Sequence, residues 1–318
     1  MENKVFASIG AGVIGYSWAL KFALAGWTVY AQNRSETSSD KARQRIQQSM
    51  ESLVENGVLT QEEACRALDR IHYTTSIAEA VQHADFIQES AREDYGTKHE
   101  LVREIEAAAP ENTVIASSTS GLLVSEIAKY AKHPERFVGG HPYNPPHLIP
   151  LVEITKGDRT ADWAVEQAKQ VYRSIGNEPV VLQKEALGFI CNRLQMALYR
   201  EVAQLVLDGV CTVEDADKAV VFGPGIRWGI LGPSAVFELG GGEGGVSGLM
   251  KHLGPSIDLW LQDMADWKSF PEVWPETAQK GVDEEIAHRD PASGNTKESL
   301  QAYRDHMLIE LLKLHGKL

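Results

Sequence analysis

KVFASIGAGVIGYSWALKFALAGWTVYAQNRS, residues 4–35, is the stretch around which the chain is organised. The apolar run from Val5 to Ile9 has the length of a buried strand. Gly10, Gly12 and Gly15 follow in G-x-G-x-x-G spacing, with Val13 and Ile14 between the last two. Apolar residues at helical spacing continue to Ala25, and Gly26 leads into a second strand, residues 27–31. The first glycine permits a tight strand-to-helix turn, the second lets a pyrophosphate approach the backbone, and the third lets helix pack on strand. The free N–H groups and the positive end of the helix dipole then face the phosphates. A glycine triplet alone would be only a turn. Between strand and helix, in a βαβ unit, it predicts a dinucleotide site that includes Gly10, Gly12, Val13, Ile14 and Gly15.

The second strand ends unusually for such a site. An acidic residue about 20 residues past the glycines ordinarily accepts the ribose hydroxyls of NAD. Asn33 stands there, followed by Arg34 and Ser35. The carboxylate that would repel a 2′-phosphate is missing, while Arg34 offers a planar cation and Ser35 a hydroxyl donor. Asn33, Arg34 and Ser35 therefore favour NADP narrowly over NAD.

The whole chain bounds the possibilities. Its 318 residues suggest two domains, each large enough for a core. With 31 Lys+Arg against 44 Asp+Glu, the net charge of −13 argues against nucleic acid as a partner. Cys65, Cys191 and Cys211 are odd in number, dispersed and without metal spacing, so they read as reduced thiols of a cytoplasmic protein. No basic region precedes the first apolar run, so no leader is expected. Lys21 interrupts the only long apolar stretch, so no membrane span is expected either.

Residues 40–56 and 61–68 favour helix and form an excursion after the first βαβ unit. Strands are then predicted at 84–88, 113–116, 137–139, 151–155 and 179–182, with helices at 97–108 and 161–175 and a short one opened by Ser125. From Gly188 onward only helical spacing appears, beginning with Ile190, Leu194, Leu198, Val202 and Leu205. Residues 240–245 read as a loop, either mobile over a substrate or a simple polar turn, and 270–275 as an irregular connector. The expected fold class is α/β: a Rossmann-type, doubly wound, mostly parallel sheet in residues 1–186, followed by an all-helical domain in 187–318.

Ligands of open α/β sheets bind beyond the carboxyl ends of the strands. Candidates there are Ser120 in SSTSG, His141 in HPYNPP, and Glu153, twelve residues past the histidine in the next strand. Asn192, in GFICNR, opens the first helix of the second domain. A zinc site from His141 and His147 lacks a third ligand. His147 and His133 otherwise read as structural.

Together the glycine fingerprint, IASSTSGL, GGHPYNPPHLIPLVEI, QKEALGFICNRLQ and GIRWGILGP, with the final YRDHMLIELLKLH, cover nearly the whole chain. In these motifs it resembles the 3-hydroxyacyl-CoA dehydrogenase superfamily, and within it the short branch acting on free acids such as gulonate and carnitine. The resemblance implies hydride transfer between a nicotinamide dinucleotide and the C3 hydroxyl of a small L-3-hydroxy acid. His141 would be the general base, Glu153 its partner, and Ser120 and Asn192 donors to the reacting oxygen, as the chemistry of these groups allows. With Asn192 supplied by the second domain, the site is expected in a cleft between domains. Glu93 and Lys98 align with cofactor-contacting residues, although both fit surface charges as well. A homodimer through the helical domain is implied too. The alternatives are an L-3-hydroxyacyl-CoA dehydrogenase, with the excursion at 40–68 near a CoA moiety, and a crystallin-like structural protein.

Overall fold

The computed structural model describes residues 4–318; Met1, Glu2 and Asn3, on which the expectation of no leader partly rests, lie outside it. Eight strands form one sheet: β1 (Val5–Ile9), β2 (Thr28–Gln32), β3 (Ile71–Thr74), β4 (Phe86–Glu89), β5 (Val114–Ser117), β6 (Phe137–Pro142), β7 (Leu151–Lys156) and β8 (Glu178–Val181). Their order is β3-β2-β1-β4-β5-β6-β7-β8, parallel throughout except between β6 and β7. The order reverses between β1 and β4, which opens a crevice at their carboxyl ends. The sheet is thus Rossmann-type and mostly parallel, as expected, and it positions everything that follows.

Alternation along the strands fills both faces. Phe6, Phe86 and Val114 pack on one side under α1 (Gly15–Leu24), α2 (Glu36–Glu55) and α3 (Gln61–Leu68). Their neighbours Ala7, Ile87 and Ile115 pack on the other, under α4 (Ile77–Val81), α5 (Tyr95–Glu106) and α6 (Val124–Ile127). Helix α7 (Asp162–Ser174) completes the first face through Tyr172. The centre of that face is aromatic: Phe22 stacks on Phe6 at 3.6 Å between ring centres and meets Trp27 edge-on at 5.1 Å. Such contacts add about 0.5–1.5 kcal/mol each beyond the area they bury.

Two glycines of the fingerprint are required by geometry. Gly10 has φ +83°, a left-handed turn that side chains resist. A Cβ on Gly15 would sit 2.3 Å from the Gly10 carbonyl oxygen, so only glycine lets α1 start against β1.

The fold departs from the sequence expectations in two places here. Strand β3 and helix α4 were not anticipated, and they extend the sheet beyond β2. The excursion begins earlier than residue 40, because Ser35 caps α2 by accepting the Ser38 N–H.

The chain divides into two compact units, residues 1–193 with 308–318, and residues 194–307. Helix α8 (Cys191–Leu207) therefore starts in the first unit. The second unit contains α9 (Val213–Val220), α10 (Ile226–Trp228), α11 (Pro233–Gly240), α12 (Gly245–Asp263) and α13 (Trp274–His288). Its small core is built on Ala203, Val213 and Trp274. Residues 240–245 are not a long loop. Gly240 ends α11, a single 3-10 turn spans Gly242–Gly244, and Gly245 begins α12, the positive φ of Gly242 and Gly245 making so tight a corner possible. Likewise 270–275 is not wholly irregular, since α13 starts at Trp274 with Pro275 in its first turn. The last helix, α14 (Lys297–Leu314), ends within the first unit, where Ile309 and Leu312 pack against Leu53 and Leu148.

Candidate active site

The antiparallel pairing of β6 with β7 sets His141 directly opposite Glu153. Directly opposed residues project from the same face of the sheet, which explains how twelve residues of separation become a contact. His141 Nδ1 lies 2.9 Å from Glu153 Oε2, with both side chains buried. The carboxylate accepts the Nδ1–H, which fixes the tautomer and leaves Nε2 as the basic atom.

The other oxygen, Glu153 Oε1, accepts the backbone N–H groups of Ile190 at 2.8 Å and Cys191 at 3.0 Å. These are orphan donors at the start of α8, where the helix dipole also favours an anion. Burial alone would raise the Glu153 pKa, but the bonds from His141, Cys191 and Ile190 outweigh it and hold the carboxyl below its usual range. Burial, with the Glu153 charge beside it, pushes the Cys191 thiol up to about 11. Burial, followed by Cys191 and Glu153, pushes Tyr143 up to about 12. Both stay protonated at neutral pH, so neither competes with His141 as a base.

The turn into α8 is strained in a way that serves this arrangement. Gly188 and Phe189 have φ +72° and +52°, and a left-handed Phe is rare. Phe189 is buried edge-on to the His141 ring at 5.5 Å, with Tyr143 at 5.9 Å. The left-handed pair redirects the chain so that the next two N–H groups meet Glu153.

One residue later, Asn192 Nδ2 donates to the Ser120 carbonyl at 2.9 Å. Both residues fall in the first compact unit, residues 1–193 with 308–318, although Asn192 also lies at the start of the sequence that follows the sheet. The reason is that Glu153 ties the first turn of α8 to the sheet. Ser120 is exposed, its own N–H donating to Glu93 Oε1 at 2.7 Å, and Thr119 Oγ1 donates to the same oxygen. The structure thus gives Glu93 a hold on the Ser120 loop. Lys98 is enclosed and ion-paired, 2.9 Å from Glu89 and 3.5 Å from Glu93.

A buried polar layer under the site went unread in the sequence. Gln88 Nε2 donates to the Gly140 carbonyl and to Ser118 Oγ, while Tyr172 OH donates to Gln88 Oε1. Glu89 accepts from Ser117 Oγ, Ala91 N and Lys98. Gln88 and Glu89 in an otherwise apolar strand were the available signal. His147 is tied to α1, its N–H donating to Ser17 Oγ at 2.9 Å, and His133 pairs with Glu135. Among the described residues no His, Cys, Asp or Glu cluster is placed to hold a metal ion.

The glycine turn opens into a cleft of about 740 Å³, lined by Gly10, Gly12, Asn33 and Arg34 among others. Ser35 is not in its wall; its hydroxyl caps α2, and Ser38 lines the cleft instead. Val13 is exposed just beyond the turn and Ile14 is the residue before α1. The turn, its free N–H groups and this volume fit an adenine dinucleotide.

Residues 5–186 match the family model of the 3-hydroxyacyl-CoA dehydrogenase NAD-binding domain, and 188–276 that of its C-terminal domain. The chain belongs to the 3-hydroxyacyl-CoA dehydrogenase family. It is 39% identical over 314 residues to an L-carnitine dehydrogenase of a Pseudomonas species, covering 98% of this chain and 94% of that protein. Among solved structures it is similar to 5-formyl-3-hydroxy-2-methylpyridine 4-carboxylic acid 5-dehydrogenase, an NAD+-dependent dismutase, with TM-score 0.79, 27% identity and coverage of 99% and 98%. It is also similar to 3-hydroxybutyryl-CoA dehydrogenase of Escherichia coli K12, with TM-score 0.66, 27% identity and coverage of 86% and 61%.

The protein is therefore a dehydrogenase with a nicotinamide dinucleotide-binding domain. The bound dinucleotide supplies the hydride acceptor. The contact leaves Nε2 of His141 free of Glu153, so that nitrogen could take a hydroxyl proton, and Glu153 is placed to stabilise the imidazolium that would result. Replacing the base should therefore separate chemistry from cofactor binding. We expect His141→Ala to lower kcat by about two to four orders of magnitude, while the dinucleotide Kd stays close to wild type. Stopped-flow kinetics and titration calorimetry read the two quantities, and wild-type turnover would remove His141 from the mechanism.

Proposed function

We propose that the enzyme oxidises the C3 hydroxyl of a small, unactivated L-3-hydroxy acid of the carnitine or gulonate kind. The observation that carries this reading is the near full-length similarity to L-carnitine dehydrogenase, with the His141–Glu153 pair built as the reaction needs. The similarity to 3-hydroxybutyryl-CoA dehydrogenase of Escherichia coli supports a second reading, a thioester substrate, at lower identity and coverage. A bulk structural role gives no reason for a buried histidine–carboxylate pair. Free thiols at all three cysteines fit a cytoplasmic setting. In a panel of L-carnitine, L-gulonate and 3-hydroxybutyryl-CoA, a free acid should show the highest kcat/KM. A large advantage for the thioester would place the enzyme in the other branch.

For the cofactor, Asn33 at the end of β2 and Arg34 in the cleft wall support NADP over NAD. The NAD-dependent neighbour supports the opposite choice. The Asn33→Asp variant should shift the ratio of kcat/KM values towards NAD, because a carboxylate repels the 2′-phosphate and accepts ribose hydroxyls. A wild type that strongly prefers NAD would refute the assignment.

The assembly reading is a homodimer through the helical region. Phe222, Ile230, Leu239, Leu259 and Trp260 are each more than half exposed, an apolar surface larger than an isolated unit ordinarily shows water. Light scattering at micromolar concentration should return twice the 35.0 kDa chain mass; a monomer's mass would end this reading.

A further inference from the structure

We propose that Lys41 and Arg45, on one face of α2, join Arg34 to form a seat for the 2′-phosphate of an adenine dinucleotide. This rests on the cofactor preference proposed above and extends it from the strand end to the helix that the sequence presented as an excursion after the first βαβ unit. Ser38, Lys41 and Arg45 follow at i, i+3 and i+7, which places them on the same side of α2. All three line the cleft that begins at Gly10 and Gly12 and includes Asn33 and Arg34.

The cations on this wall are available. Among the described residues, neither Arg34, Lys41 nor Arg45 has a carboxylate within ion-pair distance, whereas their neighbours are engaged: Arg43 lies over the Tyr73 ring at 4.3 Å and Arg92 pairs with Asp94 at 2.7 Å. Three unpaired cations converging on one cavity repel one another and are stabilised by an anion between them. Glu100 and Glu104 also line the cleft, so the wall is not uniformly basic, and the excess of positive charge lies with α2 and the end of β2. A second observation points to a missing ligand. Asn33 is nineteen-twentieths buried in this wall, and its Nδ2 has no hydrogen-bond partner. A buried amide donor left unmade is costly, and a phosphate or ribose oxygen would satisfy it after rotation of the amide.

Guanidinium and ammonium groups bind phosphate through charge-assisted bonds, the fork of Arg45 being suited to two oxygens at once. The test is titration calorimetry of the full-length enzyme with 2′,5′-ADP and with 5′-AMP, which differ in that phosphate alone. Wild type should bind 2′,5′-ADP at least about tenfold more tightly. Lys41→Ala and Arg45→Gln should each weaken 2′,5′-ADP by roughly tenfold while leaving 5′-AMP unchanged, and the double variant should equalise the two ligands. Equal affinities in wild type, binding of neither, or an advantage that survives the double variant would overturn the proposal. Survival in the double variant would leave selection to Asn33 and Arg34 alone, so that result is distinct from failure of the strand-end reading. None of these titrations needs turnover, so a wrong hydroxy-acid assignment cannot imitate their failure.

Discussion

One buried carboxylate holds the site together. Glu153 is almost wholly enclosed and charged, and an enclosed charge without partners costs several kcal/mol. It is satisfied from two directions, by the His141 ring across the β6–β7 ladder and by two backbone N–H groups at the head of α8. Satisfying it therefore fixes three things together: the tautomer of His141, the placement of the first residues of α8 against the sheet, and the position of Asn192 one residue further on. The strain at Phe189 is tolerated in this frame, since the turn it makes is what delivers those N–H groups. The same frame depends on the single antiparallel pairing in the sheet. A parallel β7 would not set His141 opposite Glu153 in this register.

The polar layer at the end of β4 does for the Ser120 loop what Glu153 does for α8. Gln88 links the backbone next to His141 with Ser118, and Tyr172 holds Gln88 from beneath. Lys98, fully enclosed, neutralises Glu89 and approaches Glu93, and Glu93 in turn accepts the Ser120 N–H. Removing one partner from such a pair typically costs about 3–5 kcal/mol, because the other charge stays buried. Lys98 thus bears on the Ser120 loop through Glu93, and that loop is held by charge and not by packing alone.

Most of this architecture was legible in the sequence where chemistry forces residue type. The glycine turn reads clearly because no other residue fits at Gly10 or Gly15. His141 and Glu153 were legible as a pair through family likeness, and the ladder register supplies the physical reason for their spacing. Strand β3 was not legible, because four residues, Ile-His-Tyr-Thr, give too short an alternation to distinguish from a turn. Residues 240–245 left two readings open for a different reason: glycine signals freedom, and here that freedom is spent on the turn, a compact corner between α11 and α12. Gln88 and Tyr172 look like ordinary strand and helix residues until the fold brings them together across 84 positions.

Net charge also reads differently once the fold is known. A chain at −13 would seem a poor host for a polyanionic dinucleotide. At physiological ionic strength, however, charges act over a screening length of about 8 Å, so carboxylates spread over the surface are largely invisible to a ligand in the crevice. What the ligand meets is local: free N–H groups at the head of α1, the positive end of its dipole, and the side chains of the cleft wall. In that wall, among the described residues, Arg34, Lys41 and Arg45 carry no carboxylate partner, although acidic residues outnumber basic ones in the chain as a whole. The same screening limits the reach of the distant acidic surface and leaves the charges of the cleft wall, Glu100 and Glu104 among them, as those nearest to a ligand there.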